Sequence, residues 1–217
     1  MKLLILGGTG RLGKELLVEA IKRGHVVHAL VRDPDRLPFH SDQLVPFEGD
    51  PRNLEELSRS IKSCQAVISA LNISRTSDFP WSRLRTPKDF LSQTIENLVF
   101  LSEENLIERV VICSAWGVGD SLKEIPFWFR WLIRNSNIGP AYKAHEAQEE
   151  RLRASKLKWT AVRPVGLTQA TQTKVVLVSS NGHPKPNLTI SRRNVARFML
   201  DILEQERFVY QTPTIFE

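Results

Sequence analysis

The sequence predicts an α/β domain built on a doubly wound, mostly parallel sheet, and three observations carry that reading. Short, β-rich apolar runs alternate with longer stretches of helical periodicity along the chain. The runs are apolar almost without interruption, as expected of strands covered by helices on both faces. A glycine-spaced segment, Gly7-Gly8-Thr9-Gly10-Arg11-Leu12-Gly13, joins the first run to the first helical stretch.

The predicted strands are residues 3–6 (Leu-Leu-Ile-Leu), 26–31, 44–47, 66–71, 110–113 and 159–162. Helices are expected at about 12–23, 54–62, 87–105 and 141–155. Strands separated by helices are the mark of βαβ units and of a parallel sheet. Between 173 and 190, Asn181-Gly182 and two prolines predict a hairpin or an irregular loop. Ser191 reads as the N-cap of a last helix over 192–206, with Val195, Phe198, Met199 and Ile202 on one face. A final strand is expected near 208–210. Residues 1–217 are read as one domain, its part from about 164 onward completing a substrate side.

Composition narrows the class. An apolar fraction of 41% and a charged fraction of 25% are ordinary for a globular chain with a sizeable core. Lys and Arg outnumber Asp and Glu by 30 to 24, but the cations are scattered, so a phosphate-bearing small molecule accounts for the excess without nucleic acid. The opening apolar run is too short for a secretory signal or a membrane span, so a cytoplasmic protein without a membrane partner is expected. Cys64 and Cys113 form no metal-ligand pattern and read as buried free thiols, and the five histidines are scattered. No metal is expected. The oligomeric state is not legible.

The glycine spacing has a mechanical reading. Gly7 permits the tight turn out of the strand, Gly10 leaves room for a pyrophosphate against the backbone, and Gly13 lets the helix pack closely on the sheet. Free N–H groups at the helix start then face phosphate, with Thr9, Arg11 and Leu12 beside it. This is the dinucleotide-binding turn of a Rossmann-type domain. About twenty residues on, Arg32 is the first residue off the second strand and Arg36 lies four further on, and both suit the 2′-phosphate of NADP(H). Asp33 either serves the ribose of NAD or caps the turn at Pro34. Asp50, followed by Pro51, borders the adenine or caps the helix beginning near Asn53. Ala70, Leu71 and Asn72 end the fourth strand, where the cofactor crosses the sheet edge.

Over nearly its whole length the chain resembles atypical short-chain dehydrogenases/reductases, especially NmrA-like NAD(P)-binding proteins and biliverdin-IXβ/flavin reductases. The resemblance rests on the glycine turn and on residues 30–38, Gly49-Asp50 and 110–114. It continues through 152–159, Arg163-Pro164 and 189–191. It implies NADP(H), with Arg32 and Arg36 at the 2′-phosphate and Asp50 near the adenine.

Catalytic candidates are fewer. Ser114 ends the fifth strand, where its hydroxyl can face the nicotinamide or a substrate carbonyl. Tyr142 has Glu146, not Lys, four residues on, which argues against the usual tyrosine proton relay. His145, placed near the cofactor in the flavin reductases the chain resembles, can hydrogen-bond cofactor or donate a proton; otherwise it sits idle on a partly exposed helix face. Residues 125–134 carry Trp128, Trp131 and Leu132 on one helical face and Arg130 and Arg134 on another. That segment, with Trp116, forms an apolar wall for a planar substrate or buries its aromatics in the core, and Arg130 and Arg134 could attract an anionic substrate or a membrane surface. The expected function is hydride transfer from NADPH to a small planar acceptor such as a flavin or quinone. The alternatives are a non-catalytic NADP-binding redox regulator and an epimerase or dehydratase.

Overall fold

The computed structural model describes residues 1–105 and 107–217. The chain opens with β1 (Lys2–Leu6), α1 (Arg11–Lys22), β2 (Val26–Val31), β3 (Leu44–Glu48), α2 (Leu54–Ile61), β4 (Ala66–Ser69) and α3 (Phe90–Asn105). It continues with β5 (Arg109–Cys113), α4 (Phe127–Asn135), α5 (Gly139–Arg153), β6 (Lys158–Pro164), β7 (Gly166–Thr168) and β8 (Leu177–Ser179). β9 (Thr189–Ser191), α6 (Arg192–Glu204) and β10 (Thr214–Phe216) complete it.

Eight strands form one sheet in the order β3-β2-β1-β4-β5-β6-β10-β8, and β7 pairs with β9 beside it. All neighbours in the main sheet are parallel except β10 and β8. From β1 the chain winds outward to β2 and β3, then crosses back to place β4 on the other side of β1. The strand order therefore reverses between β1 and β4, which opens a crevice at the carboxyl ends of these strands.

Side-chain alternation along β1 fills two core layers. Leu3 and Ile5 pack with Leu16, Leu17 and Ala20 of α1 and with Val195, Met199 and Ile202 of α6. Leu4 and Leu6 face Leu57 and Ile61 of α2, Ile95 and Leu98 of α3, and Leu152 of α5. Each fully buried aliphatic side chain contributes about 1.5–3 kcal/mol, so both faces of the sheet are held and its carboxyl edge is a rigid platform.

Local signals are met in their physical detail. Asp33 accepts from the Asp35 amide at 3.2 Å and caps the 3-10 turn Pro34–Arg36, with Pro34 in its first turn. Ser191 caps α6 through the Asn194 amide at 3.2 Å. Asn181 and Gly182 take φ of 53° and 78°, with reciprocal backbone bonds of 2.9 and 3.1 Å between Ser180 and His183, the geometry of a two-residue hairpin.

Three expectations are corrected. The fourth strand stops at Ser69, after which the chain turns across Gly7. Residues 208–210 are not a strand: Phe208 and Tyr210 lie at φ of 55° and 60°, and the rings pack instead, Tyr210 edge-on to Trp159 with centroids 6.3 Å apart. The last strand lies further on, at β10, parallel to β6. Finally, of the two readings of α4, burial of its tryptophans in the core fails: Trp128 and Trp131 are 58% and 53% exposed, and Ile133 is its buried residue.

Candidate functional site

A cavity of about 1070 Å³ occupies the crevice, running from the ends of β2 and β3 over the glycine turn to α4 and α5. The turn itself needs glycine at two places. Gly7 has φ +83°, and a Cβ there would stand 3.0 Å from the Ala70 carbonyl. At Gly13 a Cβ would lie only 2.0 Å from the Gly7 oxygen. Gly13 is thus a packing residue outside the cavity wall, whereas Gly7, Thr9, Gly10, Arg11 and Leu12 line it. Gly10 caps α1 without a side-chain partner, and the first turn holds no acidic residue. Its amide groups are left to an anion, which the helix dipole favours.

At the far end of β2 the structure selects among the candidates. Arg32 lines the cavity, but Arg36 does not, because the 3-10 turn carries it away from the wall. The second arginine there is Arg52, which sequence reasoning missed. It pairs with Asp50 at 2.7 Å and stacks over the Phe90 ring at 5.5 Å. The Arg52 side-chain hydrogen bond, aided by the Arg32 charge, holds the Asp50 carboxyl below its ordinary pKa despite partial burial. Asp50 does not cap α2. It accepts from the Arg52 amide at 2.9 Å, and Asn53 caps the helix through the Glu55 and Glu56 amides. Arg52 was legible as the cation two residues past Asp50, had the turn after β3 been weighed like the turn after β2.

In the middle of the cavity Ala70, Leu71, Asn72, Ser114, His145 and Pro164 come together. His145 is buried, at 4% exposure, not on an exposed face. Gln148 donates to its Nδ1 at 2.6 Å, so Nε2 carries the hydrogen and donates to Asn72 Oδ1 at 3.1 Å. Burial pulls its pKa down to about 4, so the ring is neutral near pH 7 and a poor proton donor. The Ser114 hydroxyl is likewise engaged. It donates to Glu149 Oε1 at 2.6 Å, and Glu149 also receives Arg163 at 2.7 Å and Arg153 at 2.9 Å. Glu149 and Arg163 are 0% and 1% exposed, and Asp120 completes the cluster at 2.7 Å from Arg163. Ser114 is therefore fixed by a buried ionic network and can offer the cavity only its lone pairs. Tyr142 donates to the Trp116 carbonyl at 3.3 Å, and burial raises its phenol pKa; its ring lines the wall.

Trp116, Trp128, Phe129 and Tyr142 form an aromatic wall at this end, with Phe129 and Tyr142 edge to face at 6.1 Å. Six arginines (11, 32, 52, 75, 85 and 192) and two aspartates line the cavity. Arg11 grips Asp78 through two bonds of 2.8 Å, and Arg192 donates to the Thr168 carbonyl at 2.9 Å. The walls therefore favour an anionic guest. Among the described residues no cluster of His, Cys, Asp or Glu could hold a metal.

A cationic crevice at the switch point of a parallel sheet, entered over an uncapped helix N-terminus, defines a nucleotide-binding α/β protein of Rossmann type. The chain belongs to the NAD(P)H-binding family, which its residues 7–206 match. It is 35% identical over 86 residues to the isoflavone reductase homolog A622 of Nicotiana tabacum, a stretch covering 36% of this chain and 28% of that relative. In fold it is similar to a short-chain dehydrogenase/reductase of Veillonella parvula in complex with NADP (TM-score 0.80, 18% identity, 100% of this chain and 94% of that one). It is also similar to ChuY, an anaerobilin reductase of Escherichia coli O157:H7 (TM-score 0.79, 18% identity, 100% and 97% covered).

Proposed function

We propose that the protein is an NADPH-dependent oxidoreductase that reduces a planar acceptor such as a flavin or a quinone. One observation carries this reading: a single cavity of about 1070 Å³ joins an arginine-lined nucleotide end to an aromatic wall. The glycine turn and the α1 amides would hold the pyrophosphate, with Arg32 and Arg52 at the 2′-phosphate and Asp50 beside the adenine amine. Asn72, His145 and Pro164 would fix the nicotinamide end.

The bound nicotinamide supplies hydride; the chain supplies orientation and a dry pocket. No strong acid faces that end. His145 is held neutral, and the Tyr142 phenol is raised by burial with no lysine to lower it. The proton on the acceptor then comes from water, which suits flavin or quinone reduction better than reduction of a simple ketone.

The engagement of Ser114 and His145 within the fold also favours a second reading, a dinucleotide-binding regulator without turnover. Mixing the protein with NADPH and either flavin mononucleotide or a short-chain quinone separates the two. Hydride transfer predicts loss of reduced-nicotinamide absorbance, retained within about twofold by Tyr142→Phe. Tight NADPH binding without oxidation by any planar acceptor would replace it by the regulator.

A further inference from the structure

The outer face of α4 is at odds with its place on a surface. Its inward side is already apolar, with Ile133 buried and Phe129 half-buried against Tyr142. Yet its outward side carries Phe127, Trp128 and Trp131 at 76%, 58% and 53% exposure. A surface helix ordinarily turns polar residues outward, and one that is apolar on both sides is ordinarily covered.

The neighbouring segment extends this face. The Trp81 indole donates to the Asn135 carbonyl at 2.8 Å, and Asn137 donates to the Trp81 carbonyl at 2.9 Å. Phe79 stacks against Trp81 at 5.3 Å, and these two rings are themselves 62% and 47% exposed. Five exposed aromatic side chains present on the order of 600 Å², at or above the largest apolar patch of an ordinary monomer.

Charge identifies what covers it. No acidic residue occurs between positions 79 and 88 or between 125 and 145. The charged groups of these two stretches are Arg83, Arg85, Lys88, Arg130, Arg134 and Lys143, all cations, and Asp78 beside Phe79 is already paired with Arg11 at 2.8 Å. A second copy docking symmetrically would set these cations against their own counterparts without a compensating carboxylate. Tryptophan and phenylalanine beside arginine instead match the boundary between lipid headgroups and acyl chains, where the rings enter and the guanidiniums meet phosphate. We propose that the α4 face and residues 79–81 seat the protein on an anionic phospholipid surface.

The attachment is peripheral, because no helix among the described residues is long and apolar enough to cross a membrane. Trp128 belongs to both the docking face and the cavity wall, so the cavity of the docked protein opens at the lipid. Lipid binding is independent of hydride transfer, and its failure would leave the cofactor reading untouched.

The test is sedimentation with vesicles of phosphatidylcholine alone and of phosphatidylcholine mixed with phosphatidylglycerol. Strong partitioning onto the mixed vesicles is expected, with little onto the neutral ones. Phe127→Ser with Trp131→Ser, both outside the cavity wall, should lower partitioning by about tenfold or more. Arg130→Gln with Arg134→Gln should lower it by roughly 25-fold, about fivefold per charge near an anionic surface. An unchanged melting temperature confirms that these variants fold. The proposal is overturned by no partitioning onto either vesicle, or by partitioning that both double variants leave intact. It is also overturned by a solution dimer that the same substitutions dissociate, which would assign the face to a second copy.

Discussion

Replacing Gly13 by Ala tests the geometry on which the nucleotide site is built. The new Cβ would lie 2.0 Å from the Gly7 oxygen, 2.7 Å from its carbonyl carbon and 2.8 Å from the Gly8 Cα. Against an optimal separation of about 3.5 Å, the shortfall at the oxygen is roughly 1.5 Å. Every atom in the way is backbone, so no side chain can swing aside. The Gly7 oxygen also accepts the Gly10 amide at 2.9 Å, so moving it opens the turn. Retreat of α1 would drag Leu16, Leu17 and Ala20, which are fully buried. Alanine gains about 1 kcal/mol in helix propensity over glycine, but overpacking of this kind costs about 3 kcal/mol. The net loss of about 2 kcal/mol corresponds to a melting temperature lower by roughly 4–8 °C for a chain of this size. Displacing two phosphate-facing amides, at about 1.5 kcal/mol each, weakens NADPH binding by about 100-fold or more. Thermal unfolding followed by circular dichroism, with calorimetric titration of NADPH, reads both quantities. A variant that melts within about 1 °C of the parent and binds NADPH equally well would refute the argument, since a clash of that size would then have been absorbed without effect.

Other outcomes follow from the same geometry. Arg32→Ala and Arg52→Ala should each weaken NADPH by about 10- to 100-fold through loss of a charge-assisted hydrogen bond, while NADH changes by less than about threefold. Arg36→Ala should change neither, and equal losses for both coenzymes in the first two variants would remove the 2′-phosphate assignment. Arg163→Met leaves Glu149 buried without its main partner and should cost about 3–5 kcal/mol in urea denaturation, whereas adding Glu149→Leu should restore much of the loss. For His145, whose pKa falls from 6.5 to about 4 on folding, the unfolded chain takes up the proton first as the solution is acidified. Stability is therefore complete above about pH 6.5 and declines by about 3 kcal/mol toward pH 4. His145→Asn should flatten this slope, and an unaltered pH dependence of the denaturation midpoint would show that the ring titrates normally.

The βαβ frame was readable in the residues because local and long-range demands agree there. Residues 3–6 form a strand both faces of which are covered, and Gly10 and Gly13 meet only the backbone of their own turn, while Gly7 alone among the three abuts a distant segment, the Ala70 carbonyl. Features that depend on distant partners were harder to place. The apolar run at 208–210 looks like a strand, yet Tyr210 is fixed by Trp159, about fifty residues away in sequence, and the edge position falls to β10. Spacing from β2 pointed equally to Arg32 and Arg36, and only the path of the 3-10 turn leaves the second outside the cavity lining. Arg52 enters through the fold of a different loop. His145 could be assigned to its helix, but its hydrogen bond to Asn72 joins elements 73 positions apart and has no local signature. Periodicity put Trp128, Trp131 and Leu132 on one face of their helix but could not tell whether that face is buried, and the exposure of both tryptophans runs against the ordinary rule for surface helices.

The two cysteines have a practical consequence. Cys64 and Cys113 are both buried and unpaired, and desolvation pushes each thiol up to about 12. Neither forms appreciable thiolate at neutral pH, so alkylating reagents should pass both by in the folded protein. A single cysteine introduced on the surface would then be the one reactive thiol, and a spin label or fluorophore could be placed there without first removing the native pair.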